Sequence, residues 1–138
     1  MFWQIDIENR VRNGKVMVYD QTTGKRSKTL FTSIPKLLGL KDFNSEQCFF
    51  GEHLLTESNK PVAIVESEKT AIISSLLFDE YIWLASGGKS NLTDNKCKVL
   101  NSRKVILFPD SDGFDLWKKK ANKLGFEISY LLKDNLVI

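Results

Sequence analysis

This chain is short of the residues that cross-link a protein or anchor it in a membrane. Its two cysteines, Cys48 and Cys97, stand far apart with no Cys-x-x-Cys spacing, which excludes a disulfide framework and a zinc ribbon and predicts two free thiols. No run of eighteen apolar residues is present to span a bilayer. The N-terminus, Met1-Phe2-Trp3-Gln4-Ile5-Asp6, lacks the basic segment and apolar stretch of a secretion signal. A cytoplasmic location with no membrane partner is therefore the default expectation. Internal repeats and low-complexity segments are missing as well. Charge is nearly balanced, +3 from 20 Lys and Arg against 17 Asp and Glu, an excess compatible with a nucleic-acid partner but too small to require one. His53 is the only histidine, and a lone histidine in a mixed stretch reads first as packing or surface.

What is present is one module's worth of globular chain: 138 residues, 42% hydrophobic and 27% charged, enough to bury a real core. Its two parts have different patterning, and the polar loop Glu57-Ser58-Asn59-Lys60-Pro61 separates an expected small β-rich subdomain over 1–59 from an expected α/β domain over 60–138. Upstream, short apolar runs at 2–6, 15–19 and 26–32 predict strands. Turns at Asn13-Gly14 and Thr22-Thr23-Gly24 would connect them into an antiparallel meander. Alternation places Val16 and Val18 on one face, Met17 and Tyr19 on the other. Short helical pieces are expected at 33–40 and about 45–50.

Downstream, strand and helix patterns alternate. Strands are predicted at 61–65, 81–85 and 104–108, with a final strand at 126–132. Between the first two, 68–78 predicts a helix capped by Ser67, with Ile72, Ile73, Leu76 and Leu77 forming its apolar stripe. Residues 86–89 read as a glycine-bearing turn and 91–100 as a weaker helix or loop. Residues 114–124 predict another helix, with Lys118, Lys119 and Lys120 solvated and Gly125 as its stop. Such alternation implies a mainly parallel sheet flanked by helices, with right-handed crossovers.

Two acidic signals close two of these strands: Val65-Glu66-Ser67-Glu68 and Pro109-Asp110-Ser111-Asp112. The carboxyl ends of parallel strands form the crevice where open α/β sheets bind ligands. In an extended Asp-x-Asp segment, Asp110 and Asp112 point to the same side, and hard carboxylate oxygens suit magnesium, which keeps much of its water. Acids after strands also cap helices; it is their shared order and context that favours the metal reading. Gly88-Lys89-Ser90 ends like a phosphate-binding loop, but Trp83 stands where that loop needs glycine. Asp110-Ser111-Asp112-Gly113 starts like a calcium loop, but Phe114 stands where an Asp or Asn is required.

In this order, these residues resemble a Toprim domain, the fold shared by bacterial-type primases, topoisomerases and small recombination or nuclease proteins. The resemblance covers about 60–132. Glu66 matches the glutamate after the first strand, Gly87-Gly88 the glycine turn after the second, and Asp110 and Asp112 the Asp-x-Asp after the third. It implies a catalytic Glu66 and magnesium, or manganese in its place, held by Asp110 and Asp112. Phe49-Phe50-Gly51-Glu52-His53-Leu54-Leu55 is similar to the segment before the Toprim strand in primases. Tyr19-Asp20 with Thr23-Gly24-Lys25-Arg26 is similar to the N-terminal subdomain of a primase core. The nearest resemblance is to the primase-like Toprim proteins of bacterial mobile elements, in which Val-Glu-Ser-Glu-Lys-Thr-Ala, here 65–71, stands in for the usual glutamate-glycine motif. Ser67 replaces the glycine there, and Gly113-Phe114 replaces the small-residue pair common after Asp-x-Asp.

The resemblance implies primase-like synthesis of RNA primers, from nucleotides on a single-stranded DNA template, as in DNA replication. Two alternatives stay open: phosphodiester cleavage of the Toprim nuclease kind, and a nucleic-acid-binding or assembly module without chemistry. Family primases usually carry a zinc-binding domain and helicase-contacting segments, so either is an expected partner on another chain or segment. A topoisomerase is disfavoured, since Tyr19, Tyr81 and Tyr130 all fall in predicted strands. Further candidates around the site are Glu68 and Asp115, both equally placed to favour a helix N-terminus, and Lys69, Gly87, Gly88 and Lys89. With Lys25 and Arg26, the lysines would hold template or triphosphate charge, or else form solvated surface. Trp3, Trp83 and Trp117 are expected in the core.

Overall fold

Short β-branched and aromatic runs, broken by glycine and proline, give a chain of many brief elements. The computed structural model describes residues 1–44 and 46–134. Strands β1 (Phe2–Ile5), β2 (Val11–Tyr19) and β3 (Arg26–Ser33) form an antiparallel sheet in that order. It is followed by a single helical turn, α1 (Ile34–Leu37). Strands β4 (Val62–Val65), β5 (Ile82–Ala85), β6 (Val105–Leu107) and β7 (Glu127–Ile128) form a second, wholly parallel sheet in the order β5-β4-β6-β7. Helices α2 (Glu68–Leu77), α3 (Asp94–Cys97), α4 (Phe114–Leu124) and α5 (Leu131–Asp134) alternate with its strands. The expected α/β class, a parallel sheet flanked by helices plus a small antiparallel sheet, is what the chain forms.

Parallel strands read as unbroken apolar runs because helices cover both their faces. β4 is buried at all four positions and divides its side chains by alternation. Val62 and Ile64 join Leu84, Leu107, Trp117 and Ala121 in the larger core, while Ala63 and Val65 join Ala71, Trp83 and Ala85 in the smaller one. Cys48 and Cys97 are buried free thiols, which burial pushes up to about 12 and about 11, so they behave as packing residues. Among the described residues no helix is long and apolar enough to cross a membrane.

The sheets meet at the β5 edge. Phe50 makes an antiparallel bridge with Ala85, and the Phe2 ring stands edge-on to both Phe50 and Tyr19. This seats β1 and β2 beside the carboxyl ends of β4 and β5.

Several expectations are corrected. Asn13-Gly14 is not a turn but lies inside β2, paired with Gln4 and Trp3; the turn comes earlier, where Asp6 accepts from the Glu8 and Arg10 amides. Gly14 is there for closeness, since a Cβ would come within 2.7 Å of Ile34 and 3.0 Å of the Trp3 ring. No helix forms over 46–50, and Ser45 lies outside the described residues; a 3-10 turn at Glu52–Thr56 follows instead. The helix expected at 33–40 is the one turn of α1. The last strand is only β7, because the chain turns into α5. Trp83 and Trp117 are in the core, but Trp3 is exposed. The apolar stripe of α2 also faces outward: Ile72, Ile73, Leu76 and Leu77 are exposed, while Glu68 and Ala71 are buried. The sheet face under α2 is built from Ala63, Ala85 and Trp83. The helix is rotated to deliver Glu68 to a lysine from the other sheet.

Candidate metal centre

Glu66 follows β4 directly, and the ladder continues past the strand end to hold its backbone: the Gly87 amide donates to the Glu66 carbonyl at 2.9 Å. β6 is followed by Phe108, whose amide donates to Ile64, and by buried Pro109. The chain then closes in a 3-10 turn over Ser111–Gly113, with the Gly113 amide on the Asp110 carbonyl at 3.0 Å. Two strand ends thus bring three acids together. One carboxylate oxygen each from Glu66, Asp110 and Asp112 lies within 4.8 Å of the other two.

Gly113 makes this approach possible. A Cβ on it would stand 2.3 Å from the Glu66 carboxylate and 3.2 Å from the Lys89 Cβ, so a side chain there would displace the Glu66 head from its present position. The carboxylate accepts from the Asp110 amide at 3.3 Å. Lys89, in the turn after β5, places its ammonium 2.7 Å from Asp112 Oδ2.

The electrostatics are uneven. Partial burial first, then the charge of Asp110, holds the Glu66 carboxyl above its usual range. Burial, then Asp112, raises Asp110 likewise. Asp112 is lowered, chiefly by its hydrogen bond from Lys89. Two acids strained toward the neutral form and a third matched by a cation form a set that gains from a divalent ion. Three hard oxygen donors, half-buried or exposed, also suit magnesium or manganese, which retain water ligands.

The other sequence candidates surround this group without joining it. Glu68 is buried at the start of α2 and paired with Lys15, whose ammonium stands 2.7 Å from Glu68 Oε1 and donates to the Gly87 carbonyl at 3.0 Å. Gly87 and Gly88 both have positive φ. A Cβ on Gly87 would meet the Lys15 ammonium at 2.6 Å. Lys69 donates to the Gly24 carbonyl and lies over the Tyr19 ring. Asp115 is exposed in the first turn of α4. Tyr19 and Arg26 from the antiparallel sheet face Glu66, Lys69 and Asp110 across a cleft of about 370 Å³; His53 does not line it.

Sequence reasoning missed Lys15, Gly113 and Lys96. Lys96 is buried and donates to the Ser86 carbonyl at 3.0 Å, pinning the glycine turn from below. Gly113 carried a signal, a glycine next to Asp-x-Asp. Lys15 carried none, because its partners Glu68 and Gly87 are distant in the chain, and Lys96 carried none, because its partner is a backbone carbonyl that no side-chain pattern marks.

A family model described as Domain of unknown function (DUF6371) matches residues 1–111, a span that carries Glu66, Gly87, Gly88 and Asp110 and stops at the residue before Asp112. No curated protein and no solved structure matches the chain.

Proposed function

We propose that this chain, which belongs to the DUF6371 family, is a Toprim-like, magnesium-dependent nucleotidyltransferase that makes primers on single-stranded DNA. The observation that supports this reading is the convergence of Glu66, Asp110 and Asp112 at the carboxyl edge of a parallel sheet. Asp110 and Asp112 would hold the ion, with Glu66 alongside. When bound, magnesium supplies positive charge where a triphosphate carries its negative charge.

The residues of the chain do the rest. Glu66, whose affinity for a proton is raised by its surroundings, takes the proton of an attacking ribose hydroxyl. The new bond forms at the α-phosphorus, and pyrophosphate leaves. Arg26 and Lys69, which line the same cleft, offer charge-assisted donors to phosphate oxygens. Gly113 keeps the Glu66 head in place.

Template-directed nucleotide incorporation by wild type and Glu66→Gln is the test. The variant is expected to lose about 10²–10⁴-fold in rate, the usual worth of a positioned acid or base, with an unchanged circular dichroism spectrum. Wild-type synthesis by the variant rejects the assignment. Cleavage of labelled DNA by the wild type, with magnesium and no nucleotides, would move the same acids to a phosphodiesterase.

A further inference from the structure

We infer that Lys89 is a displaceable counter-ion of the carboxylate cluster, and that a divalent cation competes with its ammonium for Asp112. The inference rests on the metal reading above and adds how the site balances its own charge.

Three carboxylates whose oxygens lie within 4.8 Å of one another repel, and a nearby cation relieves them. Lys89 is that cation, bonded to the single oxygen Oδ2 of Asp112. Its root is fixed and its tip is solvent-exposed. The Lys89 carbonyl accepts from the indole of fully buried Trp117 at 2.9 Å, and the Gly88 carbonyl beside it accepts from Ser86 Oγ at 2.9 Å. The side chain beyond is about half exposed, and that of its Asp112 partner is more exposed still. A lysine offers one flexible, strongly hydrated point charge and no bidentate fork, so it is held at Asp112 by one solvated contact. Solvated contacts of this kind are weak and salt-sensitive. A divalent ion engages the same carboxylate with twice the charge and draws on Glu66 and Asp110 together. Burial distinguishes this pair from Lys15–Glu68, which is too enclosed to exchange.

Calorimetric titration of the full chain with manganese and with magnesium, at low ionic strength, tests the inference in wild type, Lys89→Met and Lys89→Arg. Methionine keeps the stem that packs beside Gly113 and removes the charge; arginine keeps the charge. Lys89→Met is expected to bind the ion about two- to fivefold more tightly, the equivalent of one exposed ion pair, and Lys89→Arg to bind like wild type. A lysine with a merely structural role predicts equal or weaker binding in Lys89→Met, and that result with a binding wild type overturns the inference while leaving the metal reading intact. Failure of all three proteins to bind either ion overturns both.

Discussion

Lys15 and Lys89 each carry an ammonium to 2.7 Å from a carboxylate oxygen on the same edge of the parallel sheet. The Lys15 and Glu68 side chains keep only 14% and 4% of their surface, whereas Lys89 and Asp112 keep 49% and 67%. In the inner pair, water has been replaced by protein, so each charge depends on the other and on the Gly87 carbonyl that Lys15 also holds. Breaking such a pair strands a buried charge. In the outer pair either ion can return to solvent, and the contact contributes little to stability. The enclosed pair holds its charges away from solvent, while the exposed pair leaves both of its charges within reach of it.

The sharpest way to break this contrast is Lys15→Met. Leaving the Glu68 carboxylate buried and unpaired is expected to cost about 3–5 kcal/mol, read by urea unfolding, and adding Glu68→Leu should recover most of it. A loss under about 1 kcal/mol, the value of an exposed pair, would erase the distinction between the two pairs. Gly113→Ala comes next. Its methyl group would overlap the Glu66 head, which must swing away, so manganese binding in the same calorimetry should weaken while stability changes by less than about 1 kcal/mol. Unchanged affinity would show that Glu66 has another place to go.

The smallest effect carries the opposite sign. Glu66 and Asp110 are held above their ordinary values of 4.5 and 3.8, first by burial and then by a neighbouring carboxylate, Asp110 for Glu66 and Asp112 for Asp110. A carboxyl raised in the folded state favours folding when protonated, so its contribution is full below the ordinary value and is lost as pH rises through the folded one. At pH 7 both are ionised against the preference of the fold. Glu66→Gln and Asp110→Asn should each raise the apo Tm slightly at pH 7, measured by calorimetry with chelator present. The gain should fade as pH falls toward 4.5 and 3.8. Destabilisation at pH 7 would mean these acids support the fold, as Glu68 does.

Much of the parallel half was legible because its signals are local. Short apolar runs stopped within two residues of an acid or glycine or at Pro109, Ser67 capped α2 by accepting from the Thr70 amide, and Gly125 took the left-handed conformation that stops α4. The three acids could be placed at strand ends from order alone. The antiparallel half misled at Asn13-Gly14, where a good turn sequence is used as strand because Trp3 and Ile34 press on Gly14. The α2 stripe misled for a related reason: periodicity tells that a helix has an apolar side but not that this side is covered. The buried side is instead the one that carries Ala71 and the Lys15-paired Glu68.

From its sequence alone the chain determined an alternating α/β pattern, where its strands end, and which acids stand at those ends, because each depends on residues a few positions apart. Tertiary structure alone decided that Glu66 meets Asp110 and Asp112, that a Cβ on Gly113 would crowd the Glu66 head, and that one lysine is paired out of water while another is paired in it. Those outcomes depend on distance and solvent exposure between segments that chain order leaves far apart, and burial is what turns identical ion pairs into different devices.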